Sequence, residues 1–355
     1  MAEREGFEPS IRFCRILTFQ ASAFDHSATA PHALEATRPS GGVARAQAGW
    51  IAGRREDGHG GAMTILLALA AIVAPGQAAA APAPPPPPPA AHDALAGDWR
   101  VIPDDELLVM RLAGGRTVTI RLAAWAAPQH VAQIRRLAAA HWWDAASVYR
   151  VQENWVAQWG DASEQKPLPA GVATQVDPEF EVARVAPAAL LARGDPHART
   201  SGITADGWPV ASDGAGHAWL PHCYAMVGVA RDADPRSGSG AELFTPIGQS
   251  ARRLDRNYTV VGRIIDGMAN LSGLPRSDAP MGVYANPAQR APIEWVRLAS
   301  ELPAAERPRF AYRAADNPRF AAAVRRRENP PPPTIGSGAI DICEMPLEVK
   351  RLDTR

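Results

Sequence analysis

Cysteine is scarce, with three in 355 residues. That excludes a disulfide-framework fold and a four-thiolate zinc centre. A surplus of charge is missing too, because 37 Lys and Arg face 37 Asp and Glu. A protein held on nucleic acid by phosphate neutralisation needs a basic excess, so no nucleic-acid partner is expected. No apolar run reaches the ~18–20 residues needed to cross a bilayer, so the chain is not an integral membrane protein. Dinucleotide and phosphate-loop fingerprints are absent, and Gly238-Ser239-Gly240 lacks the glycine spacing of a nucleophile elbow. His217 and His222, with Asp213 nearby, fit no standard ligand spacing. Neither a metal nor a cofactor is expected.

What is present divides the chain. Residues 1–62 carry neither the helical nor the strand period and resemble spurious translation of transfer-RNA gene sequence. They are set aside as a spurious or unstructured extension. Ile65 to Val73 is a run of nine apolar residues, followed by Pro75-Gly76 and the small residues Ala78 to Ala81. This is the layout of a secretory signal peptide, placed at 63–81, and it predicts a periplasmic protein. Pro82 to Pro89 predicts a stiff polyproline spacer within a linker at 82–95. After export only Cys223 and Cys343 remain, since Cys14 falls in the discarded extension. An oxidising compartment permits a bridge between them. One buried thiol and one in a tail is the equal alternative.

The rest of the chain reads as short strands. Glu106 to Leu112, a Gly114-Gly115 turn and the alternating Thr117 to Leu122 predict a β-hairpin. Pro128 opens a helix whose stripe is Val131, Ile134, Leu137 and Ala138. Ser147 to Val151, Trp155 to Gln158, Met226 to Ala230, Glu242 to Ile247, Thr259 to Ile265 and Ile293 to Leu298 read as further strands, with a short helical turn at Gly267 to Leu274. Residues 162–222 show little period and read as an elaborated or functional loop. Beyond 303, Arg319 to Glu328 predicts a helix and Ile340 to Val349 a strand. Many short strands with few helices suggest a closed barrel or a sandwich.

Four motifs in order then carry a resemblance. Val148-Tyr149-Arg150-Val151 runs without a gap into Trp155-Val156-Ala157-Gln158-Trp159-Gly160-Asp161. Gly240-Ala241-Glu242-Leu243-Phe244, Leu254-Asp255 and Val260-Val261-Gly262-Arg263-Ile264 with Asp266-Gly267-Met268 follow. Together they resemble the cyclophilin family of peptidyl-prolyl isomerases over residues 104–276. The resemblance implies a mainly β fold: a closed eight-stranded antiparallel barrel with two capping helices. Residues 96–303 would form that domain and 304–355 a C-terminal extension.

The same resemblance implies site residues. Arg150 takes the position of the family's catalytic arginine, and Gln158 that of the glutamine that orients it and binds substrate backbone. Trp155, Val156, Phe244 and Leu254 take apolar positions of the proline pocket. Glu242 replaces a substrate-contacting glutamine and Tyr258 a pocket-wall histidine. Arg253 stands for a tryptophan, and Trp159 for a glycine. The implied partners are proline-containing polypeptides, and the implied activity is isomerisation of X-Pro bonds in exported chains, assisting their folding. Because the pocket wall is altered, a binding module that grips proline peptides or unfolded chains with weak turnover is the rival reading.

Overall fold

The computed structural model describes Ala90 and residues 92–183, 185–249 and 251–352. The 1–62 extension, the 63–81 signal peptide and the proline run of the linker lie outside the described residues.

Among the described residues sixteen strands run in chain order as β1 Trp99–Val101, β2 Leu107–Leu112, β3 Arg116–Leu122, β4 Ser147–Val151, β5 Val156–Gly160, β6 Val182–Ala183, β7 Ala189–Leu190, β8 Thr200–Ile203, β9 Pro209–Ser212, β10 His217–Trp219, β11 Met226–Val229, β12 Leu243–Pro246, β13 Val260–Asp266, β14 Ala291–Leu298, β15 Phe310–Arg313 and β16 Val349–Arg351. The helices are α1 Pro128–Ala139, α2 Ala269–Ser272 and α3 Pro318–Glu328. Eight strands close a barrel in the order β11-β12-β5-β4-β14-β2-β3-β13, with every pairing antiparallel.

Strand alternation explains the core. Leu108, Met110 and Leu112 of β2 point inward with Val118, Ile120 and Leu122 of β3. Helix α1 lays Val131, Ile134, Leu137 and Ala138 on this core, and Leu271 of α2 joins it. Ala127 at the head of α1 offers no side-chain cap. The carboxylate of Glu179, fifty residues on, takes that role, accepting from the amides of Gln129 at 2.9 Å and His130 at 3.0 Å.

The 162–222 segment, expected as an elaborated or functional loop, has regular structure of its own. It holds a five-stranded sheet, β6-β10-β9-β8-β7. Its strands are two to four residues long. A period of two cannot be read from so few residues. Beyond β14, the strand expected over 340–349 shrinks to β16, preceded by a single helical turn at Ile342–Glu344. β16 pairs with β15, and β15 with β1, so residues before and after the barrel share one sheet. That sheet covers the outward residues of β2, Leu107 and Val109, which pack with Ile102 and Phe310. The barrel's other outer wall is covered by Ile203, Trp208 and Val210 of the inserted sheet together with Phe320, Val324, Ile342 and Met345. Cys223 and Cys343 are bonded to each other across 120 residues.

Candidate active site

Three side chains line up because their strands pair in register. Arg150 of β4 faces Gln158 of β5, and Gln158 faces Phe244 of β12. Directly opposed residues share a face, and this face is the outer one, since Val148, Val151, Ala157 and Trp159 point into the barrel. Gly228 of β11 completes the row opposite Phe244. A Cβ at Gly228 would collide with the Phe244 ring, so glycine is what lets the phenyl lie flat on the sheet.

The register slips between Val148 and Arg150, leaving Tyr149 as an extra residue. Such a bulge re-aims a side chain, and Tyr149 thereby joins the outer face beside Arg150. Its hydroxyl accepts from Gln158 Nε2 at 2.5 Å and donates to Glu242 Oε2 at 2.7 Å. The other Glu242 oxygen accepts from the Asp161 amide at 2.7 Å. Burial pushes Glu242 up to about 7, opposed by the Tyr149 and Asp161 hydrogen bonds and reinforced by the charges of Asp161 and Glu164. Burial likewise raises Tyr149 well above the usual phenol value.

Arg150 is buried, 6% exposed. Its Nη1 donates to Gln158 Oε1 at 3.0 Å, its Nη2 to Gln152 Oε1 at 2.6 Å and its Nε to the Met281 carbonyl at 2.7 Å. Burial lowers its pKa to about 10, against the pull of Tyr149 and Tyr258. The head group therefore stays charged at neutral pH and is held from three sides.

Phe244 stacks on His222, with ring centroids 6.0 Å apart, and meets the edge of Tyr258 at 5.7 Å. His222 turns its other edge to Asp255, while His217 bonds Asp213 at 2.8 Å. The two histidines thus serve separate carboxylates. Trp155, at the β4–β5 turn, carries the guanidinium of Arg253 at 4.4 Å from its ring centroid. Val156 is buried at the start of β5, on the same strand face as Gln158. Leu254 is half-buried and ends the helical turn Arg252–Leu254. Next to the row opens a groove of about 680 Å³, bordered by Tyr149, Gln158, Glu242, Lys166, Arg231 and Trp142.

Gln158, Arg150 and Phe244 are thus brought together, and Glu242 reaches them through Tyr149. Tyr149, Gln152, Gly228 and the Met281 carbonyl were missed by sequence reasoning. A signal existed for Tyr149: it stands where the family signature has histidine, and Glu242 departs from the same pattern. Nothing marks Met281, which arrives from 131 residues away.

A closed antiparallel barrel carrying a buried, charged arginine beside a phenyl seat defines the class of the proline isomerases. Residues 107–297 match the family model described as cyclophilin type peptidyl-prolyl cis-trans isomerase/CLD, and the chain belongs to that family of isomerases. It is similar to the crystal structure of cyclophilin AquaCyp293 from Hirschia baltica, at 26% identity and a TM-score of 0.56, covering 71% of this chain and 93% of that one. A Cryptosporidium parvum cyclophilin type peptidyl-prolyl cis-trans isomerase, solved in the presence of the dipeptide Ala-Pro, is 13% identical with a TM-score of 0.37, covering 54% of this chain and 98% of that one. No curated protein matches the chain.

Proposed function

We propose that this isomerase acts on X-Pro bonds of exported polypeptides in the periplasm, assisting their folding, and that Arg150 is its catalytic residue. The export reading rests on the apolar run at 65–73 with its alanine-rich end, and a bonded cysteine pair suits an oxidising compartment. On this reading 63–81 is removed, 82–95 is a spacer, 96–303 is the isomerase domain and 304–355 its extension.

The chemistry needs no nucleophile. Amide resonance sets a rotation barrier of ~18–20 kcal/mol. A site that binds the twisted amide better than the planar one lowers it. As resonance is lost, the prolyl nitrogen gains a lone pair that a guanidinium N–H can meet. Of the five such groups on an arginine, three are spent on Gln158, Gln152 and Met281, which leaves one on each terminal nitrogen for the substrate. Phe244 seats the pyrrolidine ring, with Val156, Leu254, Trp155 and Tyr258 as its surroundings. Gln158 orients the guanidinium.

One observation carries this reading: Arg150, Gln158 and Phe244 are consecutive members of a single cross-strand row. A protease-coupled isomerisation assay tests it. Loss of one preorganised electrostatic donor costs about 10²–10³ in rate, so Arg150→Ala should fall by that factor, and Arg150→Lys should recover little because an ammonium cannot hold three planar partners. Wild-type protein that binds proline peptides without turning them over supports the binding-module reading instead. Cell fractionation tests export, which fails if the chain stays cytoplasmic with residues 63–81 attached.

A further inference from the structure

Arginines packed on the outside of the barrel are generally compensated. Arg121 meets Glu106 at 3.1 Å, Arg351 meets Asp266 at 2.8 Å, and Arg252 meets Asp195, Asp255 and Asp341. Arg263 differs. It stands on the outer wall of β13, directly opposite Arg121 of β3, and is 7% exposed. Its hydrogen bond among the described residues runs from Nη2 to the Leu347 carbonyl at 2.9 Å, and no described carboxylate pairs with it. Burial, and then the like charge of Arg121, press its pKa down to about 9. It is a cation at neutral pH, taken out of water with a neutral acceptor and a repelling neighbour. Burying an unpaired charge is costly.

The same side chain lines a cavity of about 290 Å³ between the barrel wall and the C-terminal extension. Met226, Ile342, Met345, Leu347 and the Cys223–Cys343 bridge supply apolar parts of the remaining wall. Tyr224 borders the cavity and is 49% exposed. The groove bordered by Gln158 and Glu242 has none of these residues in its lining.

We propose that this cavity binds a carboxylate carrying a short apolar tail, with the carboxylate on Arg263 and the tail among Met226, Ile342, Met345 and Leu347. A guanidinium matches the two oxygens of a carboxylate in one plane. The opposite charge would offset the repulsion from Arg121, and the greasy walls favour a tail over a bare inorganic ion. Two sources share this chemistry: a free medium-chain acid, and the C-terminus of a peptide ending in an apolar residue.

Calorimetric titration of the full chain separates them. The probes are octanoate, octanol, sodium phosphate, and an acetylated Ala-Leu dipeptide with its C-terminus free or amidated. Saturable binding of octanoate or of the free-acid dipeptide is expected, and whichever is tighter names the source. Octanol and the amide should bind at least ~10-fold more weakly, as one charge-assisted bidentate contact is lost. Arg263→Met should weaken the acid by a similar factor. Leu347→Trp should do the same with the guanidinium in place, by filling the tail space. Proline isomerisation by both variants should match wild type, which also reports that they fold. The site is refuted if neither acid saturates, if phosphate or octanol binds as tightly as octanoate, or if both variants keep wild-type affinity.

Discussion

Gln158 can orient Arg150 in only one of its two amide orientations, with the carbonyl toward the guanidinium and the NH2 toward Tyr149. Tyr149 can accept that NH2 while its own proton points at Glu242. An ionised Glu242 therefore fixes, through two hydrogen bonds, the Gln158 amide with its carbonyl toward Arg150. Protonation of Glu242 removes the acceptor that fixes the hydroxyl. Its pKa sits near 7, raised by burial and by the charges of Asp161 and Glu164, and Lys166 and Arg231 line the same groove. In wild type, kcat/KM should therefore fall as pH drops below about 7. Glu242→Gln, neutral at every pH, should flatten that limb. Tyr149→Phe should lose rate at all pH values, with KM for the peptide little changed. An unaltered acid limb in Glu242→Gln would remove Glu242 from the relay. The resemblance of the motifs to the family signature pointed to Arg150, Gln158 and Phe244 in sequence. The relay stayed hidden because a bulge has no period of its own.

At the scale of the element, helix α1 shows how a local rule is met from afar. Its first amides need an acceptor, and Ala127 has none to give. Glu179 supplies both oxygens and also takes His130 Nδ1 at 2.7 Å. Partial burial opposes ionisation of Glu179, yet His130 and the two amides outweigh it and hold the carboxyl below its usual 4.5. A carboxyl with a depressed folded-state pKa stabilises fully above its unfolded value and loses that contribution as pH falls through the folded one. Glu179→Ala should cost about 1–2 kcal/mol, the range of a lost helix cap. Denaturant unfolding at pH 7 should show that deficit, and it should shrink as the pH falls below 4.5. The helix itself was legible from Pro128 and its apolar stripe. Its cap was not, because the spacing of fifty residues depends on how the inserted segment folds back.

At the scale of the whole molecule, the barrel is wrapped rather than bare. β1 before it and β15 and β16 after it form one sheet, and the inserted strands cover another wall. The Cys223–Cys343 bond closes a loop of 120 residues. In the chain-entropy account, a loop of that length is worth about 5 kcal/mol through the unfolded state. Cys343→Ser should accordingly lower the unfolding free energy by several kcal/mol, on the order of that figure. Equal midpoints for the oxidised protein and the serine variant would show that the wrapping is held by its apolar contacts alone.

Binary pattern and turn chemistry, read along the chain, determined most of the barrel strands and the opening helix, because each depends on neighbours within a few residues, while the family came from the resemblance of four motifs. Four short motifs in order also marked Arg150, Gln158 and Phe244. Tertiary structure alone decided what those residues touch. Register placed them in one row, a bulge turned Tyr149 toward Glu242, and Met281 came from another loop to hold the guanidinium. It also decided that residues 162–222 hold a five-stranded sheet and that Arg263 is buried with no carboxylate partner among the described residues. These outcomes arise from contacts between segments tens to hundreds of residues apart, where no period along the chain can carry the information.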